Sequence, residues 1–354
     1  MKHFIILILG ATLFIECGEA KKSLQKEFMQ TARGEIGEII LVMDSAQYEG
    51  VLGDAIKGVF REPMRGLPQD EPLFSISKAG PSRLNSVLKA ATNMIFVMTL
   101  DSKSYESELL RNYFTSQSLN AIQRDTTQFY IIHQDEFAKG QVVLYLFARS
   151  EDQLISKLQQ HKGQLQELFE STERNRIKSR LFKERETGME KAIKEAYPFE
   201  LKVPFGWEEA KRLKNFYWMR FLEADKEQDI FVYYEPYTSS DVFDDITRLR
   251  DKVTETYLRD PERTDLYVTR QERPDIKAVF TETVNYEGRF AVKARGLWKY
   301  SDISGGGPYV SYTIVDEPSN TIFYVEGFVY APSTKKKNYI REIDAILSTF
   351  EITQ

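Results

Sequence analysis

The residues that could do chemistry are scattered along this chain. IILVMD ends on Asp44, where a nucleotide-binding fold would place an acid, but a phosphate cradle also needs GxxxxGK followed by Ser or Thr. The nearest pattern, Gly53 to Gly58, continues into Val59 and Phe60, which excludes a P-loop. Neither GxSxG nor HExxH occurs, so the sequence offers no nucleophile elbow and no zinc-protease helix. Beyond His3 the histidines are His133 and His161, and neither has a His or Cys at ligand spacing. No metal site and no cofactor are expected. Asp241, Asp244 and Asp245 share one helical turn and could offer oxygen ligands to a cation. Behind Ser239 and Ser240 they are also where a helix dipole favours acids, and they read as first-turn residues. SGGGPY, Ser304 to Tyr309, could turn backbone N–H groups toward an anion. With no adjacent lysine, the triple glycine reads as a flexible loop between strands.

No catalytic residue is assigned. Paired carboxylates can cleave glycosidic bonds without any local motif, and Glu282 and Glu326 are candidates that no spacing selects. The aromatic signal is stronger. Trp207, Trp218 and Trp298 fall in the second half together with Tyr233, Tyr234, Tyr237, Tyr300, Tyr309 and Tyr312. Exposed rings stack on sugars or anchor protein partners. Alternation places Tyr233 and Tyr234 on opposite faces of a strand, so one of the two is expected outside the core. Trp298, Tyr300, Tyr233 and Tyr237 form the expected binding surface for a protein or glycan. The alternative is a carboxylate-dependent hydrolase acting on envelope polymers.

Cys17 is the one cysteine. It follows Met1, Lys2, His3 and the apolar run FIILILGATLFI, Phe4 to Ile15, in the pattern of a signal peptide. At about 1.5 Å per residue that run covers roughly 18 Å, well short of a hydrocarbon core of roughly 30 Å. Two processing routes fit. Cys17 resembles the acylated cysteine of a bacterial lipobox, although Phe14 and Glu16 stand where an aliphatic and a small residue are preferred. Alternatively, Gly18, Glu19 and Ala20 satisfy a small-x-small cleavage rule and the cysteine is discarded. Lipidation is preferred because an unpaired thiol is a liability in an oxidising compartment, and only lipidation gives Cys17 a role. The protein is expected at the cell envelope, bound to a membrane through an N-terminal lipid; the second route would leave it soluble in the periplasm or secreted.

Composition fits a globular protein, with 42% hydrophobic and 13% aromatic residues. A formal charge of −5 gives no reason to expect nucleic acid as a partner. RNRIKSRLFKER, Arg174 to Arg185, is locally basic, but its cations recur every second residue and scatter around a helix.

These candidates need elements to hold them, and the predicted fold class is α+β. Residues 1–16 read as signal peptide and 17–33 as tether. An N-terminal mixed α/β domain follows over 34–149, with strands at Ile36–Asp44, Asn93–Leu100 and Gln141–Ala148 and a helix at Ser45–Phe60. Residues 150–196 lack proline until Pro198 and predict one long or broken connecting helix. Residues 197–354 predict a C-terminal antiparallel sheet, a helix at Ser239–Leu258 and a packed C-terminal helix at Lys337–Phe350 lying across one face.

PFELKVPFGW, the strands after it and the closing amphipathic helix make the second half resemble the binding domains typified by photosystem oxygen-evolving protein P. Over nearly the whole mature chain, GEIILVMDSAQYEGVLGDAIKGVFREPMRGLPQDEPLF, GQVVLYLFARSEDQL, PFGW and NFYWMRF resemble an uncharacterised, Bacteroidota-type family of Gram-negative envelope lipoproteins, a domain of unknown function. That resemblance implies a lipoprotein signal and a two-part fold, and it transfers no catalytic residue.

Overall fold

A computed structural model describes residues 29–272 and 279–353; Cys17 and the predicted leader lie outside them. The fold is mixed α and β, as the sequence pattern predicts, and the described residues form two compact units: 29–62 with Phe74–Glu170, and Pro63–Leu73 with 171–272 and 279–353.

The first unit is built on β1 (Glu38–Val42), β2 (Ser75–Ala79), β3 (Asn93–Thr99), β4 (Tyr130–Gln134) and β5 (Val142–Ala148) in the order β2-β1-β3-β5-β4. Strands β1, β2, β3 and β5 run parallel and β4 pairs antiparallel with β5. NMIFVMT and VVLYLFA are buried along their whole lengths, the continuous apolar pattern of a parallel strand covered on both faces. The predicted Ser45–Phe60 helix breaks at Gly50 into Ser45–Glu49 and Val51–Phe60. Phe60, Phe74 and Phe169 meet edge to face at 5.6 to 6.2 Å between centroids.

The connector proves to be three helices, Glu151–Gln160, Lys162–Leu181 and Thr187–Ala196. The second unit then adds β6 (Phe199–Glu200), β7 (Glu208–Leu213), β8 (Phe216–Glu223), β9 (Lys226–Pro236), β10 (Val268–Arg270), β11 (Val279–Tyr286), β12 (Arg289–Tyr300), β13 (Gly306–Asp316), β14 (Thr321–Tyr330) and β15 (Glu351–Ile352). The main sheet runs β10-β12-β13-β14-β9-β8-β7, with β11 also on β12, and β15 pairs with β6.

Period-two alternation sorts this sheet into two apolar faces. One face presents Tyr217, Met219, Ile230, Val232, Val310 and Tyr312 to Ile340, Ile343 and Leu347 of the C-terminal helix, Lys337–Leu347. The other presents Phe216, Phe231, Tyr233, Trp298, Tyr309 and Tyr324 to Leu249 and Val253 of the Ile246–Tyr257 helix. Both faces are therefore covered, whereas the sequence pattern suggested one. SGGGPY is also not a free loop: Gly306 and Gly307 open β13, paired with Lys299 and Trp298. A Cβ on Gly307 would sit 2.0 Å from the Val329 carbonyl oxygen, so no side chain fits there.

Pro63–Leu73 belongs to the second unit by its packing, with Met64 and Leu67 buried in that core. The Glu71 carboxylate accepts from the backbone N–H groups of Lys336 (2.7 Å) and Lys337 (3.2 Å), capping the C-terminal helix that has no side-chain cap of its own.

Candidate functional site

The aromatic surface expected from the sequence is mostly core. Trp298 is 0% exposed, donates from Nε1 to the Val329 carbonyl at 3.2 Å and meets Tyr300 edge to face. Tyr233 is buried, with its hydroxyl on Glu235 at 2.7 Å. Tyr300 and Tyr237 are half-buried and pack against the same cluster. The expectation fails because it assumed one open face: Tyr233 lies under the Ile246–Tyr257 helix and Tyr234 packs against the opposite core.

The two carboxylates do not form a pair. Register places Glu282 opposite Lys293 and so on the face of the C-terminal helix, exposed on an outer strand. Glu326, opposite Ser311, is on the other face and fully buried. There it accepts from Arg250 Nε (2.9 Å) and Nη2 (2.7 Å) and from the Tyr324 hydroxyl (2.5 Å). The predicted Ser239–Leu258 helix is a short 3-10 turn, Ser240–Phe243, followed by the Ile246–Tyr257 helix, so the three aspartates do not share its first turn: Asp245 precedes it and caps it through the Thr247 N–H. Among the described residues no group of three or more His, Cys, Asp or Glu is placed to hold a metal. His133 and His161 contact Glu136 and Gln164. In the basic run, Arg180 pairs with Glu342, Arg185 with Glu190, and Lys178 donates to the Ser348 carbonyl.

In doubly wound folds the carboxyl edge between diverging strands is the usual site. Here that edge lies between β1 and β3, and it is filled by its own acids. Asp44 accepts from the Gln47 N–H and the Ser104 hydroxyl. Glu106 takes the Ser45 N–H (2.6 Å) and Asp101 the Glu151 N–H (3.1 Å). The amides that would greet an anion are occupied by carboxylates.

The better candidate is a cleft of about 370 Å³ in the second unit. PFGW builds one wall. Pro204 and Gly206 bracket Phe205; Gly206 sits at φ +85°, where a β-carbon would be strained and would approach Phe221 at 3.1 Å. The turn is pinned by Glu186, which accepts from the Gly206 N–H at 2.7 Å, and by the Phe205 N–H to the Glu184 carbonyl. Pinned this way, Phe205 stands 67% exposed. Trp207 is buried and tilts against Phe221 at 6.1 Å, forming the apolar base. From β9, Lys226 lies between the rings of Phe221 (5.0 Å) and Tyr339 (4.9 Å) and pairs with Glu223 at 3.0 Å. Gln228 is 3% exposed, lines the cleft and donates from Nε2 to no group among the described residues.

Sequence reasoning used PFGW for its resemblance to known families and not as a wall of a site, and it overlooked Gln228. The signals were present: a Phe held between Pro and Gly, and a Gln in register with the inward Ile230 and Val232.

No curated protein matches this chain in sequence. Among solved structures, the Ran-binding protein Mog1p of Saccharomyces cerevisiae is 10% identical, with 44% of this chain and 91% of that chain covered at a TM-score of 0.27. A mutant of protein Mog1 is 11% identical, with 44% and 92% covered and the same TM-score of 0.27. In sequence, residues 32–182 match Domain of unknown function (DUF8532), and residues 186–349 match Domain of unknown function (DUF4837).

Proposed function

We propose that this chain is an exported lipoprotein of a Gram-negative envelope, anchored through Cys17, and that its C-terminal unit is a non-enzymatic binding module for an envelope partner. The apolar leader ending at a single cysteine supports the anchor. The observation that carries the binding role is the cleft: an exposed Phe205 fixed in place and, lining the same cleft, a buried Gln228 whose Nε2 has no acceptor among the described residues. Holding a large apolar ring in water and an amide without an acceptor costs stability, and bound ligand would satisfy both.

The anchor is tested by the mass of the N-terminal peptide from membrane-extracted protein, beside a fractionated Cys17→Ala variant. A peptide starting at Cys17 with acyl chains, and a variant released from the membrane, are expected; an unmodified peptide starting at Lys21 would refute it. The binding role is tested by retention on isolated envelopes of the non-lipidated Cys17→Ala protein, which should be kept, whereas the same protein carrying Phe205→Ala should be lost. Equal retention of the two refutes the cleft as the binding site.

A further inference from the structure

Building on the reading of this cleft as a binding site, we infer that its ligand is an uncharged sugar unit of a glycan. Three observations converge. First, the charges lining the cleft balance: Arg180, Lys183 and Lys226 face Glu184, Glu223 and Glu342. Arg180 is paired with Glu342 and Lys226 with Glu223, so the site has no surplus of either sign to attract a phosphate, a polyanion or a cation.

Second, beside its lysines the lining carries an amide, a guanidinium and carboxylates, the multidentate groups that read vicinal hydroxyls. The Gln228 Nε2 needs an acceptor, which a sugar hydroxyl or ring oxygen provides, and the same hydroxyl can donate onward to a rim carboxylate. A hydroxyl is donor and acceptor together, so it suits a rim of alternating Lys, Arg and Glu better than a carbonyl, which only accepts.

Third, Phe205 offers a ring in water next to these groups, as a stacking surface for the C–H face of a pyranose. A cleft of about 370 Å³ falls at the small end of ligand sites and holds one or two sugar units. Lys226, fixed between two rings, and Phe205, fixed by the Gly206 turn, are in place before the ligand arrives, which limits the ordering cost of a weak interaction.

The test uses the purified full chain titrated with glucose, N-acetylglucosamine, cellobiose and N,N′-diacetylchitobiose, read by saturation-transfer NMR. At least one is expected to bind, with Phe205→Ala and Gln228→Leu each weakening it about tenfold or more. Thermal melting of both variants accompanies the titration; Phe205 is on the surface and its removal should leave the melt in place. Binding that is equal in wild type and Phe205→Ala overturns the assignment. A displayed peptide library panned on the same protein separates the two levels. Peptides that bind wild type and are lost in Phe205→Ala, with no saccharide bound, overturn the sugar and keep the cleft as a binding site. If wild type takes neither saccharide nor peptide, both fall.

Discussion

Under the C-terminal helix, the buried Asp344 carboxylate is met by Lys293 Nζ at 2.9 Å, the Tyr312 hydroxyl at 2.6 Å, Arg295 at 3.5 Å and Arg174 at 3.8 Å. On the opposite face of the same sheet, Asp229 is as deeply buried and accepts one hydrogen bond, from Trp218 Nε1 at 2.8 Å. Burial pushes both carboxyls up, but Lys293, Arg295 and Arg174 reverse it for Asp344 and hold that group well below the usual carboxylate range. Asp229, with Glu227 adding to the effect of burial, is held well above it. Between these limits lies Glu326, whose charge is matched by a single bidentate guanidinium. Burying a carboxylate thus does not decide its charge; the cations arranged around it do.

The largest break in this contrast should come from Asp344→Ala. Lys293, itself buried, and two arginines would lose their common partner, and denaturant unfolding should show a loss of about 3 to 5 kcal/mol. Adding Lys293→Met should recover part of it; a loss below about 1 kcal/mol would remove Asp344 as the hub of this face.

Next is Arg250→Met, which strands a fully buried Glu326 and should cost about 3 kcal/mol, while Arg250→Met with Glu326→Leu should come back to within about 1 kcal/mol of wild type. A double variant as weak as the single one would mean that the pair is itself stabilising.

The pH profile sharpens the comparison by sign. Asp344 has a depressed folded pKa, so its contribution is full above the unfolded carboxyl value near 4 and is lost as pH falls through the folded value; Asp344→Asn should flatten the acid limb of a stability curve. Asp229 has a raised folded pKa, so its contribution is full below the unfolded value and is lost as pH rises through the folded one. Asp229→Asn, which keeps an acceptor for Trp218, should therefore stabilise the protein by about 1 kcal/mol at pH 7 and by nothing near pH 3. An Asn variant less stable at both pH values would contradict a carboxyl raised by burial at Asp229.

The smallest effect is expected at Phe205→Ala: as a surface ring its removal should change stability by less than about 0.5 kcal/mol, a contrast with the buried aromatics of either face.

Much of this architecture could be read from periodicity. Continuous apolar runs gave β3 and β5, and alternation gave the antiparallel sheet of the second half. The helix Ser116–Arg124 was missed because it is short and mostly polar, with only Leu119 and Ile122 marking its apolar side, and strand β7 because EEAKRL buries no residue. The aromatic platform was misplaced for a different reason. Alternation tells which residues share a face, but not whether a helix covers it, and only the packing of Leu249 and Val253 shows that Tyr233 and Trp298 are core. The cleft escaped because its parts come from PFGW, β8 and β9, and a buried amide without a partner is a property of three dimensions.

The cap that Glu71 places on the C-terminal helix has a consequence for biogenesis. Its carboxylate waits for the Lys336 amide, 265 residues later in the chain. At the 5 to 20 residues per second of ribosomal synthesis, that is roughly 10 to 50 s during which Pro63–Leu73 has been made and its receptor has not. A vectorially emerging chain therefore cannot finish its second unit before its own last turns appear, and an early-made segment with Met64 and Leu67 exposed is what a holding chaperone would meet.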